Sequence, residues 1–301
     1  MKTLLLLAQQ AANELGIVAP LAVAGNTTQD ITQLLALMNA AGEELMSKHD
    51  WRGLTRRFDF YTSFVTTTGS YDPSTRQITG IPSTAGLDNT FMVVGAGFPL
   101  ATFIASVDSP NQVTATNPPA QAGAAVPVYF QKAKYPMPAD YQSIVPRTQW
   151  DRSMHWEMLG PENAQQWEYL LSGFIATGPR VRWRLLGQFF QIWPGFSNSE
   201  NLGFEYRSNA WVTAADGTPK QNFSADDDTC IYPDRLMVLI SKLKYFEAKG
   251  FDTTAMWRNY VTNLETAIAQ DISFPTLSFA PRPGSSLIGY DNIPDTGYGL
   301  T

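Results

Sequence analysis

The chain has 301 residues, 44% hydrophobic and 16% charged, with a net charge of −6. That length suits two domains of roughly 150 residues or one core with a large insertion, and the charged fraction falls below the ~25% of ordinary soluble domains, as for a surface partly covered by partners or one filled by uncharged polar residues. The acidic balance argues against a general nucleic-acid binder, which needs a basic footprint, although it allows a wall that DNA slides past without sticking; Cys230, the single cysteine, excludes an intrachain disulfide and suits a reducing compartment.

The run Leu4 to Leu7 after Lys2 begins like a signal peptide but gives way at Gln9 and Gln10. It is far shorter than an ordinary signal region, and no stretch approaches the ~20 apolar residues of a membrane span. A soluble, unprocessed, intracellular product is expected. The spacing of Leu4, Leu7, Ala8, Ala11 and Leu15 instead predicts a first helix ending at Gly16. A second opens with Asp30 as N-cap and carries Ile31, Leu34, Leu35, Met38, Ala41 and Leu45 on one face.

From 55 to 132, short strands are expected at 55–65, 77–81, 91–94, 102–107, 112–116 and 126–132, separated by Gly, Pro and Asn turn signals. A short helix is expected over 161–171. Further strands follow at 180–186, 188–193 and 202–211, with turns at Gly187 and at Asp216-Gly217. Asp226-Asp227-Asp228 reads as a solvated loop. A third helix then starts at Pro233, shows Leu236, Leu239, Ile240, Leu243 and Phe246 as its stripe, and stops at Gly250. A fourth begins near Asp252 with Trp257, Val261, Leu264 and Ile268 at heptad-like spacing. The resulting expectation is an α+β fold. Both chain ends (1–54 and 231–272) form a four-helix bundle, 55–230 form a β-rich insertion of sandwich or barrel type, and 273–301 form an extended arm. That arm is rich in proline and glycine yet carries Phe279, Ile288 and Tyr290 among other apolar residues, a composition suited to docking on a neighbour by strand addition rather than to solvation.

The stretch from Tyr135 to Trp211 holds six of the eight tryptophans and six arginines. Trp and Arg are the residues most enriched at interface hot spots. Arg147, Trp150, Arg152, Trp156, Arg180, Arg182 and Trp183 are therefore candidate contact residues; for any one tryptophan a place in the core is an equal reading.

Catalytic signatures are missing. Two histidines, His49 and His155, cannot make a three-His zinc site, and no HExxH helix, GxSxG elbow or Walker A lysine motif occurs. Gly95-Ala96-Gly97 lacks the third glycine of a dinucleotide loop, with Leu100 in its place. No cofactor and no enzymatic activity are expected. Carboxylates distant in sequence leave a glycan hydrolase, or a carbohydrate-binding tail component, as the alternative.

Several segments resemble podovirus-type head-to-tail adaptor proteins, the tail tubular A-like group. They are Gln33-Leu-Leu-Ala-Leu-Met-Asn39 running into Gly42-Glu-Glu-Leu45 and His49-Asp50-Trp51, then Tyr135-Pro-Met-Pro-Ala-Asp-Tyr141 with Arg147 and Trp150-Asp-Arg152, then the helical pair around Lys249-Gly250. The resemblance spans most of 1–272 and is more individual over 64–128. It implies a ring-forming virion protein, dodecameric in such adaptors, assembled in the host cytoplasm and placed at the neck of the tail. Its partners would be its own copies, the portal protein and the tail tube or nozzle, with genomic DNA passing through its channel without tight binding and no membrane contact. It carries no active site across.

Overall fold

The computed structural model describes residues 1–95, 97–172 and 181–272. They include five α-helices: α1 (Leu4–Leu15), α2 (Gln29–Lys48), α3 (Ala164–Leu171), α4 (Asp234–Lys249) and α5 (Thr254–Asp271). Gly16 and Gly250 end α1 and α4 with φ of 74° each, a left-handed conformation that costs glycine nothing. The N-cap of α2 is Thr28 rather than the expected Asp30, which lies in the first turn where its charge still suits the helix dipole.

The expected four-helix bundle is not what forms. Helix α4 buries Leu236, Met237, Val238, Leu239 and Ile240 in succession, so its N-terminal half is apolar nearly all round. Such a helix must be enclosed, and α1, α2 and α5 pack on it. The rest of the enclosure is β structure: Trp211, Val212, Phe223, Cys230 and Tyr232 complete the same core. Their segment folds as a small antiparallel sheet of Val212–Thr213, Pro219–Lys220 and Thr229–Cys230. Helix α5 buries Tyr260 and Ala267, and Trp257 on its expected stripe is 47% exposed. A bundle needs comparable stripes on every helix; here one helix is central and another is peripheral.

Gly42 shows how tightly this layer closes. A Cβ there would lie 2.2 Å from atoms of the Trp211 indole, so glycine in mid-helix, although unfavourable by about 1 kcal/mol, is what lets α2 approach that ring. The acidic run is likewise a clasp rather than the solvated loop expected. The carbonyls of Asp228 and Asp226 accept from the N–H groups of Leu4 and Leu5 at 2.7 and 3.1 Å, satisfying donors that a helix start leaves orphaned. Asp226 Oδ1 accepts from the N–H groups of Val23 and Ala24 at 2.9 and 2.8 Å. The Asp228 side chain is fully buried and accepts from Lys220 Nζ at 2.9 Å and from the N–H groups of Ser224 and Ala225 at 2.8 Å each.

The segment expected as one strand over 55–65 divides into Thr55–Tyr61 and Phe64–Tyr71. The break falls at the buried Thr62, whose N–H and hydroxyl are fastened to the Glu200 and Asn198 carbonyls, and the two halves enter different sheets. Phe64–Tyr71 joins Gln77–Thr79, Phe91–Val94, Ile104–Ser109, Gln112–Ala115 and Gly123–Lys132 in a six-stranded antiparallel sheet. A bridge between Met92 and Phe103 and a bond from Val93 N–H to the Thr102 carbonyl (2.7 Å) join its two edge strands, Phe91–Val94 and Ile104–Ser109, so it closes as a small barrel around Ile78, Val113, Val128 and Phe130. Thr55–Tyr61 pairs instead with Asn201–Ser208, which also pairs with Tyr141–Ile144 and with Trp150–Asp151, itself joined to Trp156–Glu157. A three-stranded sheet of Lys134–Pro136, Phe189–Trp193 and Arg182–Leu186, the last two turning at Gly187 with φ 59°, packs against this one. Phe58, Phe60, Tyr135, Trp183, Phe190 and Phe204 fill the space between them. No helix among the described residues is long and apolar enough to cross a membrane. The expected arm, 273–301, lies outside the described residues.

Candidate interaction surface

Residues directly opposite in paired strands share a face, and neighbours along a strand alternate faces. Leu202, Phe204 and Tyr206 point into the core, so Gly203, Glu205 and Arg207 belong to the outer face. Asp59, Gly203 and Trp150 form one row across it, Arg57 stands opposite Glu205, and Glu157 opposite Trp150. Gly203 is the floor. A Cβ there would run into the Asp59 carboxylate and the Arg152 guanidinium, which lie across it.

Charges of both signs surround Trp150. Asp59 holds two arginines, Arg57 through Nε at 2.7 Å and Arg152 through Nη1 at 2.7 Å. Arg207 Nη1 lies 2.6 Å from Asp50, at the end of the helical layer, and Arg147 Nε lies 3.7 Å from Glu157. Arg147 has φ 64° and a side chain 86% exposed. Exposed ion pairs of this kind contribute about 0–1 kcal/mol each to stability, so they do little for the fold.

Two carboxylates beneath this face differ in ionisation. Burial opposes the charge of Asp140, but hydrogen bonds from the Ser208 and Tyr206 hydroxyls (2.6 and 2.8 Å) and the Arg56 guanidinium 3.0 Å away outweigh it and hold the carboxyl below its usual range. Asp151 is pushed the other way: burial, reinforced by the nearby Glu200 charge, outweighs the bonds it accepts from the N–H groups of Met154 and Ser153 at 3.0 Å each. Asp151 thereby pins the exposed turn Ser153-Met154-His155 while disfavouring its own charge.

The aromatic and arginine residues named from sequence do not form one surface. Arg147, Trp150 and Arg152 meet at the outer face, and Trp156, half-buried, stands opposite Asp151. Trp183 is a core residue, 1% exposed and stacked on Phe190 with ring centroids 5.2 Å apart, which removes it from any surface contact; Trp167, Trp193 and Trp211 are buried too. Arg182 sits on the other sheet, paired with Glu162. Arg180, Phe279, Ile288 and Tyr290 lie outside the described residues. Arg57, Asp59 and Gly203 belong to the surface and were missed; the alternation Arg57-Phe58-Asp59-Phe60 was the signal that could have found the first two.

No cluster of three or more His, Cys, Asp or Glu suited to a metal occurs among the described residues. A surface hollow on the barrel is lined by Ser83, Thr84, Ala85, Val107, Asp108, Ser109 and Pro110. It offers one carboxylate, and Asp108 is already committed to the Ser106 and Thr114 hydroxyls at 2.6 Å each, whereas glycosidic cleavage needs two facing acids. Neither the protein-family models nor the curated proteins compared with the chain match it.

Proposed function

We propose that this protein is a structural subunit of a phage virion, a head-to-tail adaptor that joins copies of itself into a ring beneath the portal, extends the DNA channel and provides the platform for the tail tube or nozzle. The observation that carries the reading is the outer sheet face: a half-buried Trp150 opposite Gly203, beside the Asp59 and Arg152 pair that lies over the glycine, and rimmed by ion pairs of both signs. A central aromatic within a polar rim is the anatomy of a contact surface. Interspersed charges can exchange partners with a complementary patch on a neighbour, as a ring built from head-to-tail contacts requires. The resemblance of the 33–51 and 135–152 segments to such adaptors supplies the assembly, and dodecameric stoichiometry follows from it alone. The net charge of −6 suits a channel that must let phosphates pass.

Mixing the protein with its portal and imaging by electron microscopy tests the reading, as does a mobility-shift assay with duplex DNA. A ring on the portal and weak or absent DNA binding at physiological salt are expected. Sub-micromolar affinity for DNA would contradict the channel assignment. Cleavage of peptidoglycan or capsule by the isolated chain would favour the hydrolase instead.

A further inference from the structure

Tyr135, Phe190 and Trp183 of the three-stranded sheet point into the core, so their neighbours Lys134, Gln191 and Arg184 belong to its other face. Strand pairing sets these three in one row, Lys134 opposite Gln191 and Gln191 opposite Arg184. The strands lie about 4.8 Å apart, so the long side chains of Lys134 and Arg184 can meet over the amide between them. Trp193, on the same face, packs with Trp167 of α3 and with Met92, and the row runs beside that contact. The Arg184 guanidinium lies over the Trp167 ring, 4.6 Å from its centroid, and Lys134 Nζ lies over the Phe103 ring at 4.0 Å.

Both cations are half-buried, and neither forms an ion pair among the described residues. Buried charges are ordinarily paired with opposite ones; here two like charges share a row. Burial, joined by the Arg184 charge, pushes the Lys134 ammonium below its ordinary pKa, and burial does the same to Arg184. The carboxylate whose charge reaches Arg184 is Glu168, exposed on α3, which offsets part of that cost without a direct bond. Gln191 between them is 7% exposed. Arginine only donates, so the bond from Arg184 Nε to Gln191 Oε1, 3.0 Å, turns the amide oxygen to Arg184. The two Nε2 N–H groups are left over, with no acceptor among the described residues, and a buried donor without a partner is costly.

An anion with several oxygens answers both deficits, the missing charge and the missing acceptor. Lys134 and Arg184 together carry two positive charges. A phosphate group near its dianionic form matches them, whereas a carboxylate or a DNA phosphodiester, with one charge, matches half. We propose that Lys134, Gln191 and Arg184 form a binding site for a dianionic oxyanion, a free phosphate or a phosphate monoester, held by the two cations and the Gln191 amide beside the Trp167 and Phe103 rings. The site does not depend on the adaptor reading.

Titration of the full chain with inorganic phosphate at constant ionic strength tests it, read by calorimetry and by the NMR signals of the Gln191 and Arg184 side-chain N–H groups. Saturable binding is expected, with both signals shifting together. Lys134→Gln and Arg184→Gln should each weaken it about tenfold or more, since each removes a charge-assisted bond. Glu168→Gln should tighten it. Lys132→Gln, at a lysine near the Phe91 and Tyr135 rings instead, should leave it unchanged. Sulfate should compete with phosphate, and acetate should not. Glycerol 3-phosphate binding as tightly as phosphate would assign the site to monoesters, and binding of phosphate alone would assign it to the free anion. Should a variant fail to fold, the wild-type signals decide. Absence of a saturable shift at Gln191 and Arg184, or a loss in Lys132→Gln equal to that in Arg184→Gln, would overturn the proposal.

Discussion

Of two tryptophans, Trp211 stands against a glycine and Trp150 is the cross-strand partner of one, and their settings differ. Trp211 meets Gly42 of α2 and is sealed by Phe223 and Tyr232, with no exposure at all. Trp150 stands opposite Gly203 on an open sheet face, half-buried, with arginines and carboxylates around it instead of a second layer. The missing Cβ admits the indole of Trp211 at Gly42, and at Gly203 it admits the Asp59 carboxylate and the Arg152 guanidinium. In the helical layer the approach is completed by apolar neighbours and contributes to stability; on the sheet it seats a charged pair beside a half-buried ring. The first arrangement explains a fold, and the second is the surface proposed to take a partner.

The largest test of the difference is on the closed side. Leu243 lies in the same core as Trp211, and Leu243→Ala should cost about 2–5 kcal/mol, read as a fall in Tm; an unchanged Tm would remove α4 from the centre of the layer. Gly42→Ala should cost about 1–3 kcal/mol through overpacking against the indole, despite alanine's better helix propensity. A stabilised variant would show that Trp211 does not sit where described.

On the open side the readout changes from stability to association. Trp150→Ala should cost less stability than Leu243→Ala, in keeping with a half-buried position on an open sheet face. It should weaken assembly with the portal or with other copies by about 2 kcal/mol, roughly thirtyfold in affinity. If assembly were untouched, the outer face would be ordinary surface.

The smallest effects are in pH. Asp140 and Asp228 both have carboxyls held below the ordinary 3.8 in the folded chain, the hydrogen bonds and nearby cations outweighing burial. Their stabilisation is present above that value and is lost as pH falls below it, through the folded pKa. Asp140→Asn should flatten the acid limb of a Tm-versus-pH curve. Asp151 has the opposite sign: its folded pKa is raised, so its charge costs stability at neutral pH, and the cost is relieved as pH falls through that raised value. Asp151→Asn, which keeps an oxygen for the Ser153 and Met154 amides, should raise Tm slightly at neutral pH. A fall there would mean that the ionised carboxylate is the form the fold prefers.

Much of the secondary structure was legible because periodicity reports local burial. The α1 stripe, the glycine stops at Gly16 and Gly250, the Gly187 hairpin and the 91–94 strand were all readable that way. What escaped depends on residues distant in sequence. Five successive apolar residues at 236–240 could be read as a stripe with neighbours, and nothing local says that Trp211 and Tyr232 will close the other side of α4. Asp228 looks solvated because its partners, Lys220 and the Leu4 amide, come from strand and helix elements whose juxtaposition is tertiary. The aromatic and arginine cluster was half legible. Trp150 stands two residues before an arginine and Trp183 between two, and only strand pairing decides that one faces out and the other in.

The central claim, that the chain is a ring subunit docked at a portal, is tested most directly by electron microscopy of the protein mixed with its portal. The account predicts a closed ring of copies seated on the portal around a continuous axial channel, lost or weakened in the Trp150→Ala protein while that variant stays folded. A wild-type chain that remains off the portal as a folded monomer would contradict it.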